Sequence, residues 1–169
     1  METDILGQFE ASLRRMNVGR TRVEAESFEA ALTSVVETPA VGSPLPFEGV
    51  SLADTEVELD PTPAQLRAAK TGVTAVELGV ADYGSVVVRS SPGGDEPVSL
   101  FPETHVAVLR ESDVVPDMPA AFERLESVFA AGGDDVVVAT GPSATADMGE
   151  LVYGAHGPKA VHVLLLEDR

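Results

Sequence analysis

Two stretches of this chain are short and almost continuously apolar: Val136-Val137-Val138 and Val161-His162-Val163-Leu164-Leu165-Leu166. Neither alternates between apolar and polar positions. Runs of this kind suit strands covered on both faces, as in a parallel sheet with helices on each side. The rest of the chain supplies those helices. Residues 4–16 place Ile5, Phe9, Leu13 and Met16 at helical spacing, and Gly19 lies just beyond the end. Residues 20–24 read as a short strand, and Ser27 as the cap of a helix over 28–36, with Phe28 and Leu32 on one side. Residues 38–53, rich in Pro and Gly, form a crossing loop with a short strand at Val41. Val57 and Leu59 alternate with acids and predict a strand.

Thr62-Pro63-Ala64-Gln65 is a capping box with Pro at the first helical position, opening a helix over 63–70. Two β-like runs follow, Val73 to Leu78 and Ser85 to Arg89, with Gly84 between them. Pro92-Gly93-Gly94-Asp95 is a turn. The run from Thr104 to Leu109 is a strand. Asp117 and Pro119 start a helix whose expected buried stripe is Phe122, Leu125 and Phe129, ended by Gly132-Gly133. Strands and helices alternate, so the expected class is α/β, an open mainly parallel sheet flanked by helices. At 169 residues the chain fits one domain, 1–169.

Charge narrows the function classes. There are 28 acidic and 11 basic residues, for a net charge of −17. Such a surface repels nucleic acid and anionic membranes, because phosphate binding needs Lys and Arg. It also repels itself, a penalty that molar salt removes by cutting the Debye length to about 3 Å. With only two lysines, Lys70 and Lys159, the composition points to a salt-loving cytoplasm, the alternative being an acidic mesophilic protein. No run is long enough for a membrane helix, and the start, Met-Glu-Thr-Asp, lacks the features of a signal peptide. The chain has no cysteine, which excludes disulfides, thiolate nucleophiles and Cys-ligated clusters within it.

The densest polar signal lies between the two apolar runs. It reads Thr140-Gly141-Pro142-Ser143-Ala144-Thr145-Ala146-Asp147-Met148, then Gly154-Ala155-His156-Gly157-Pro158. We read it as a tight turn, a short helix and a second turn. Gly141 permits unusual dihedrals where the chain leaves the sheet. Ser143 or Thr145 can cap the short helix and Asp147 can complement its positive end; the same residues can instead hold a ligand. Loops at the carboxyl ends of parallel strands are where open α/β sheets bind ligands. His156, flanked by small residues, can reach a ligand there or bond a backbone carbonyl. His105 can join the same cleft or serve only structure. His162, inside an apolar strand, reads as structural. Gly84-Ser85 can bring backbone amides to a ligand or simply turn the chain. No helical His-x-x-x-His spacing supports a metal, no cofactor motif is present, and no Gly-x-Ser-x-Gly elbow marks Ser143 as a nucleophile.

This pattern resembles the C-terminal signature of the LUD-domain proteins of the LutC/YkgG family, which reads Gly-Pro-Ser-Arg/Lys-Thr-Ala-Asp-Ile-Glu, then Gly-Val-His-Gly-Pro and an apolar strand. Upstream, Ala81-Asp82-Tyr83-Gly84-Ser85 is similar to the family's Ala-Glu-Thr-Gly-Ser/Thr stretch, and Leu100-Phe101-Pro102-Glu103-Thr104-His105 to its Leu-Pro-Pro-x-His segment. The resemblance is clearest over residues 54–166. Ala144 stands where the family has a basic residue, Asp82-Tyr83 where it has Glu-Thr, and Met148-Gly149 where it has Ile-Glu. The resemblance implies a NagB/RpiA/CoA-transferase-like fold. It further implies involvement in oxidising L-lactate to pyruvate, beside partner proteins that carry iron–sulfur clusters; the reading we take from it is an accessory subunit that binds those partners or a small carboxylate or other anion. The rival readings are a small-molecule enzyme of that fold, acting on a sugar phosphate, a CoA ester or a folate, and a purely structural α/β domain.

Overall fold

The computed structural model describes residues 4–133 and 135–168. Helix α1 (Ile5–Arg15) starts at Asp4, whose carboxylate accepts the Gly7 N–H at 2.9 Å, and buries Phe9 and Leu13. Strand β1 (Gly19–Val23) leads through one 3₁₀ turn into α2 (Phe28–Val35). Ser27 precedes α2, but its side chain makes no capping bond, because that 3₁₀ turn already occupies the helix entrance. Strands β2 (Ala40–Gly42) and β3 (Val57–Leu59) flank the crossing loop. Helix α3 (Pro63–Ala68) has both halves of the expected capping box and ends two residues earlier than its sequence predicts.

Strands β4 (Thr71–Ala75), β5 (Leu78–Val80) and β6 (Ser85–Arg89) follow. Leu78 therefore belongs to a strand of its own. Helix α4 (Asp95–Leu100) begins at the last residue of the expected turn 92–95 and is absent from the sequence expectations. Its six residues are too few for a helical period to show. Strand β7 (Thr104–Arg110), β8 (Val114–Val115), α5 (Met118–Ala130), β9 (Val136–Thr140), β10 (Ala144–Asp147), β11 (Glu150–Tyr153) and β12 (Ala160–Leu166) complete the chain.

Six strands form one wholly parallel sheet in the order β1-β12-β7-β4-β2-β3. Side chains alternate along each strand, so the two faces carry different cores. Val23, Val73, Val106, Val108, Leu164 and Leu166 pack with Phe28 and Leu32 of α2. Ala107, Leu109, Val163 and Leu165 point the other way, onto Phe9 and Leu13 of α1 and onto Val86 and Val88 of β6. A second sheet, ordered β8-β5-β6-β9, thus lies over the first as a further layer. Its outer residues Leu78, Val80 and Val87 are covered by α5.

The molecule departs from its sequence expectations in three places. The valine run of β9 is not in the parallel sheet. It pairs antiparallel with β6 at the edge of the second sheet, while β12 lies inside the first. Val137 and Ala139 face the shared core and Val136 faces α5, which accounts for the apolar run; Val138 is 46% exposed. The buried stripe of α5 is Ala121, Leu125 and Val128, with Phe122 and Phe129 turned outward. The small Ala121 lets the helix approach a sheet surface already filled by valines. Finally, no helix forms over 143–149. The segment is an antiparallel hairpin, β10 with β11, turned by Met148 and Gly149 at φ +48° and +84°.

Candidate functional site

A cleft of about 340 Å³ opens between the two sheets, where β9 ends and β7 and β12 begin. Val137 and Ala139 of β9 and Val88 of β6 form one wall, Ser99 and Leu100 at the end of α4 another. His105 and Val161 form the floor, and Ser143, Thr145 and His156 stand around it. The volume suits a small molecule. The cleft lies at the amino ends of the parallel strands β7 and β12. The sequence reading placed it at carboxyl ends, an assignment that failed because β9 belongs to the other sheet.

His105 is the most enclosed polar group here, 2% exposed. Its Nε2 is 2.9 Å from the hydroxyl of Thr74, itself fully buried. Burial disfavours the imidazolium and pushes its pKa down to about 4, so the ring is neutral near pH 7. Gly72, opposite His105 in the β4–β7 register, lets α4 settle beside it: a Cβ at Gly72 would come within 2.0 Å of the Val98 carbonyl oxygen.

Ser143 ties the upper wall together. Its N–H donates to the Pro158 carbonyl at 2.9 Å, and its own carbonyl accepts the Gly154 N–H at 2.9 Å. Its hydroxyl accepts the His156 N–H at 3.3 Å, which leaves the O–H free to donate into the cleft. A Cβ at Gly157 would come within 3.2 Å of the Ser143 Cβ, so the two loops pack closely. Among the described residues that line the cleft there is no Asp, Glu, Lys or Arg. Polarity comes from imidazole, hydroxyl and backbone groups, and its donors suit an oxygen acceptor.

The structure gathers His105, Gly141, Ser143, Thr145 and His156 around this cleft. His156 is exposed and stands at the rim of the cleft. Asp147 lies in β10 at the hairpin turn, so it has no helix end to complement. Gly84 and Ser85 are elsewhere. The Gly84 N–H is taken by the Val80 carbonyl at 2.9 Å, and the Ser85 hydroxyl bonds Thr140 at 2.7 Å across β6 and β9. Gly84 adopts φ +67° with the backbone of α1 against it, so its role is a turn and a close approach. Thr74 escaped the sequence reading; the available signal was a polar residue alternating with valine in a strand that should be wholly buried. His162 is half-buried, with Nε2 2.9 Å from the Thr21 hydroxyl, and burial lowers its pKa too. No cluster of three or more potential metal-ligating side chains occurs among the described residues.

A second cavity, about 470 Å³, opens at the carboxyl ends of β4 and β6. After β2 the chain goes outward to β3 and returns on the other side to β4, a topological switch point. Asp95, 9% exposed, accepts the Ser43 hydroxyl at 2.5 Å and that of Ser91 there. Arg89 stands 3.9 Å from Glu77. Two carboxylates against one guanidinium do not suit a phosphoryl group.

A model of the LUD domain matches residues 4–166, including the amino-terminal third that the sequence resemblance leaves unassigned. Lactate utilization protein C of Bacillus licheniformis is 38% identical over 107 residues, 60% of this chain and 44% of that protein. Lactate utilization protein C of Bacillus subtilis (strain 168) is 36% identical over 105 residues, again 60% and 44%. Uncharacterized protein YkgG of Escherichia coli K12 is 31% identical over 158 residues, 89% of this chain and 61% of that one. The aligned region thus spans less than half of the first two relatives. A crystal structure of a duf162 family protein from Deinococcus radiodurans superposes with a TM-score of 0.79 at 21% identity, covering 98% of each chain. At that identity the likeness concerns the fold.

Proposed function

The chain belongs to the LUD-domain family, in its LutC/YkgG branch, and from that premise we propose that it serves lactate utilisation as an accessory subunit, binding a small carboxylate in the cleft floored by His105. The supporting observation is the cleft's chemistry: an open space bordered by hydroxyl and imidazole groups, with no charged side chain among the described residues of its lining. Lactate and pyruvate each present a carboxylate and one further oxygen, which such donors fit by direction rather than by charge. Without cysteine this chain holds no Cys-ligated cluster, so electrons would pass through partner iron–sulfur proteins. With a net charge of −17, the approach of an anion depends on salt, which fits the salt-rich cytoplasm proposed for the protein. The rival reading, an enzyme acting on sugar phosphates, CoA esters or folates, has less support: the switch-point cavity opposes phosphate.

The test is thermal unfolding in molar salt with L-lactate, pyruvate, acetate or inorganic phosphate added. A ligand at about 100 times its dissociation constant adds roughly 2.7 kcal/mol. Stabilisation by lactate or pyruvate, lost in Ser143→Ala, supports the reading. Stabilisation by phosphate alone, or by nothing, overturns it. Co-purification of cysteine-rich proteins from lactate-grown cells tests the partner claim separately.

A further inference from the structure

We propose that Thr74 is a positioning residue that locks His105 as its Nδ1–H tautomer, so that the cleft floor presents a fixed neutral donor to a carboxylate or carbonyl oxygen. The ligand half of this rests on the cleft reading above; the tautomer half stands without it.

In the β4–β7 register Gly72 faces His105 and Thr74 faces Ala107, so Thr74 and His105 are diagonal neighbours on one sheet face. The Thr74 side chain is fully buried, and its partner among the described residues is His105 Nε2, at 2.9 Å. Two arrangements of that bond exist. If Nε2 carried the proton and donated, the threonine O–H would be sealed in the core with no acceptor, at a cost of about 1–3 kcal/mol. If the hydroxyl donates, both groups are satisfied, Nε2 is the acceptor, and the single proton of the neutral ring sits on Nδ1. Nδ1 has no partner among the described residues. No described side-chain nitrogen or oxygen that is wholly shut off from solvent lacks a partner, so Nδ1 keeps an opening. The open space that His105 borders is the cleft. The same burial that lowers the ring's pKa keeps this donor uncharged.

The arrangement sets a preference. A neutral N–H at the floor, with the Ser143 O–H above it, binds oxygen acceptors and gives nothing to an ammonium group. Thr21 and His162 form the same Nε2-to-hydroxyl pair on the opposite face of the sheet, but there both are partly exposed, so water can satisfy the hydroxyl. They provide an internal reference in the same spectrum.

The experiment is long-range proton–nitrogen NMR of the full chain at pH 7 in high salt, with pyruvate and methylammonium as probes. His105 is expected to show a bare Nε2 and a protonated Nδ1. Thr74→Ser should keep that signature. Thr74→Val, which retains the shape and loses the hydroxyl, should mix or reverse it and weaken pyruvate binding about tenfold. A protonated Nε2 in the unmodified protein, or an unchanged tautomer in Thr74→Val, overturns the role of Thr74. A correct tautomer whose Nδ1–H ignores pyruvate overturns the ligand class and leaves the role of Thr74 standing.

Discussion

At the scale of single residues, His105 couples the fold to pH. An unfolded imidazole titrates near pH 6.5, the native one near 4. Between those values the unfolded chain binds a proton that the native state refuses, so stability is complete above about pH 6.5 and falls as pH drops towards 4. The loss from this residue is about 3 kcal/mol at most. Urea unfolding of the wild type and of His105→Gln at pH 7 and pH 4.5 checks it: the variant should lose less stability across that interval, and equal losses would refute the coupling. Ser143, Thr145 and His156 were legible in the sequence because polar residues crowd a glycine-rich stretch between two apolar runs. Thr74 was not, because its meaning depends on which strand lies beside it, and register across β4 and β7 involves residues some thirty positions apart. For Gly84 and Ser85 the sequence offers either a ligand contact or a turn; α1 passes closely over Gly84, while Ser85 bonds Thr140 of β9.

At the scale of elements, the face a helix buries depends on what it meets. Phe122-Leu125-Phe129 and Ala121-Leu125-Val128 have equally helical spacing and share Leu125. Bulk alone favours the first, and the valine-covered sheet selects the second. We expect Leu125→Ala to cost about 2–4 kcal/mol and Phe122→Ser under about 0.5 kcal/mol in denaturant unfolding. The reverse order would mean that α5 is turned about its axis. Docking of this helix is aided by Asp113, whose nearly buried carboxylate takes Arg110 at 2.7 Å and Arg124 of α5 at 2.8 Å. The hairpin was misread as a helix because Ala144, Ala146 and Met148 are good helix formers, while the decisive signal was the Met148-Gly149 pair at the turn.

At the scale of the whole molecule, charge and layering set the behaviour. A chain with 28 acids and 11 bases carries its repulsion everywhere on the surface, and ions screen it. We expect circular dichroism to show loss of structure as salt is dialysed from molar to millimolar; full retention would refute the salt-loving proposal. The parallel sheet was legible from β12, a central strand apolar on both sides, whereas the equally apolar run of β9 lies at the edge of the other sheet. The second sheet was not, because its strands are two to five residues long and their pairing mixes directions. The excursion from β9 to β12 carries one further consequence. It leaves one layer and enters another, and its tip, Met148, is 99% exposed. A reporter group attached there should leave both ladders intact while riding on the backbone that also carries Ser143, so occupancy of the space beneath could be followed by its spectroscopic response.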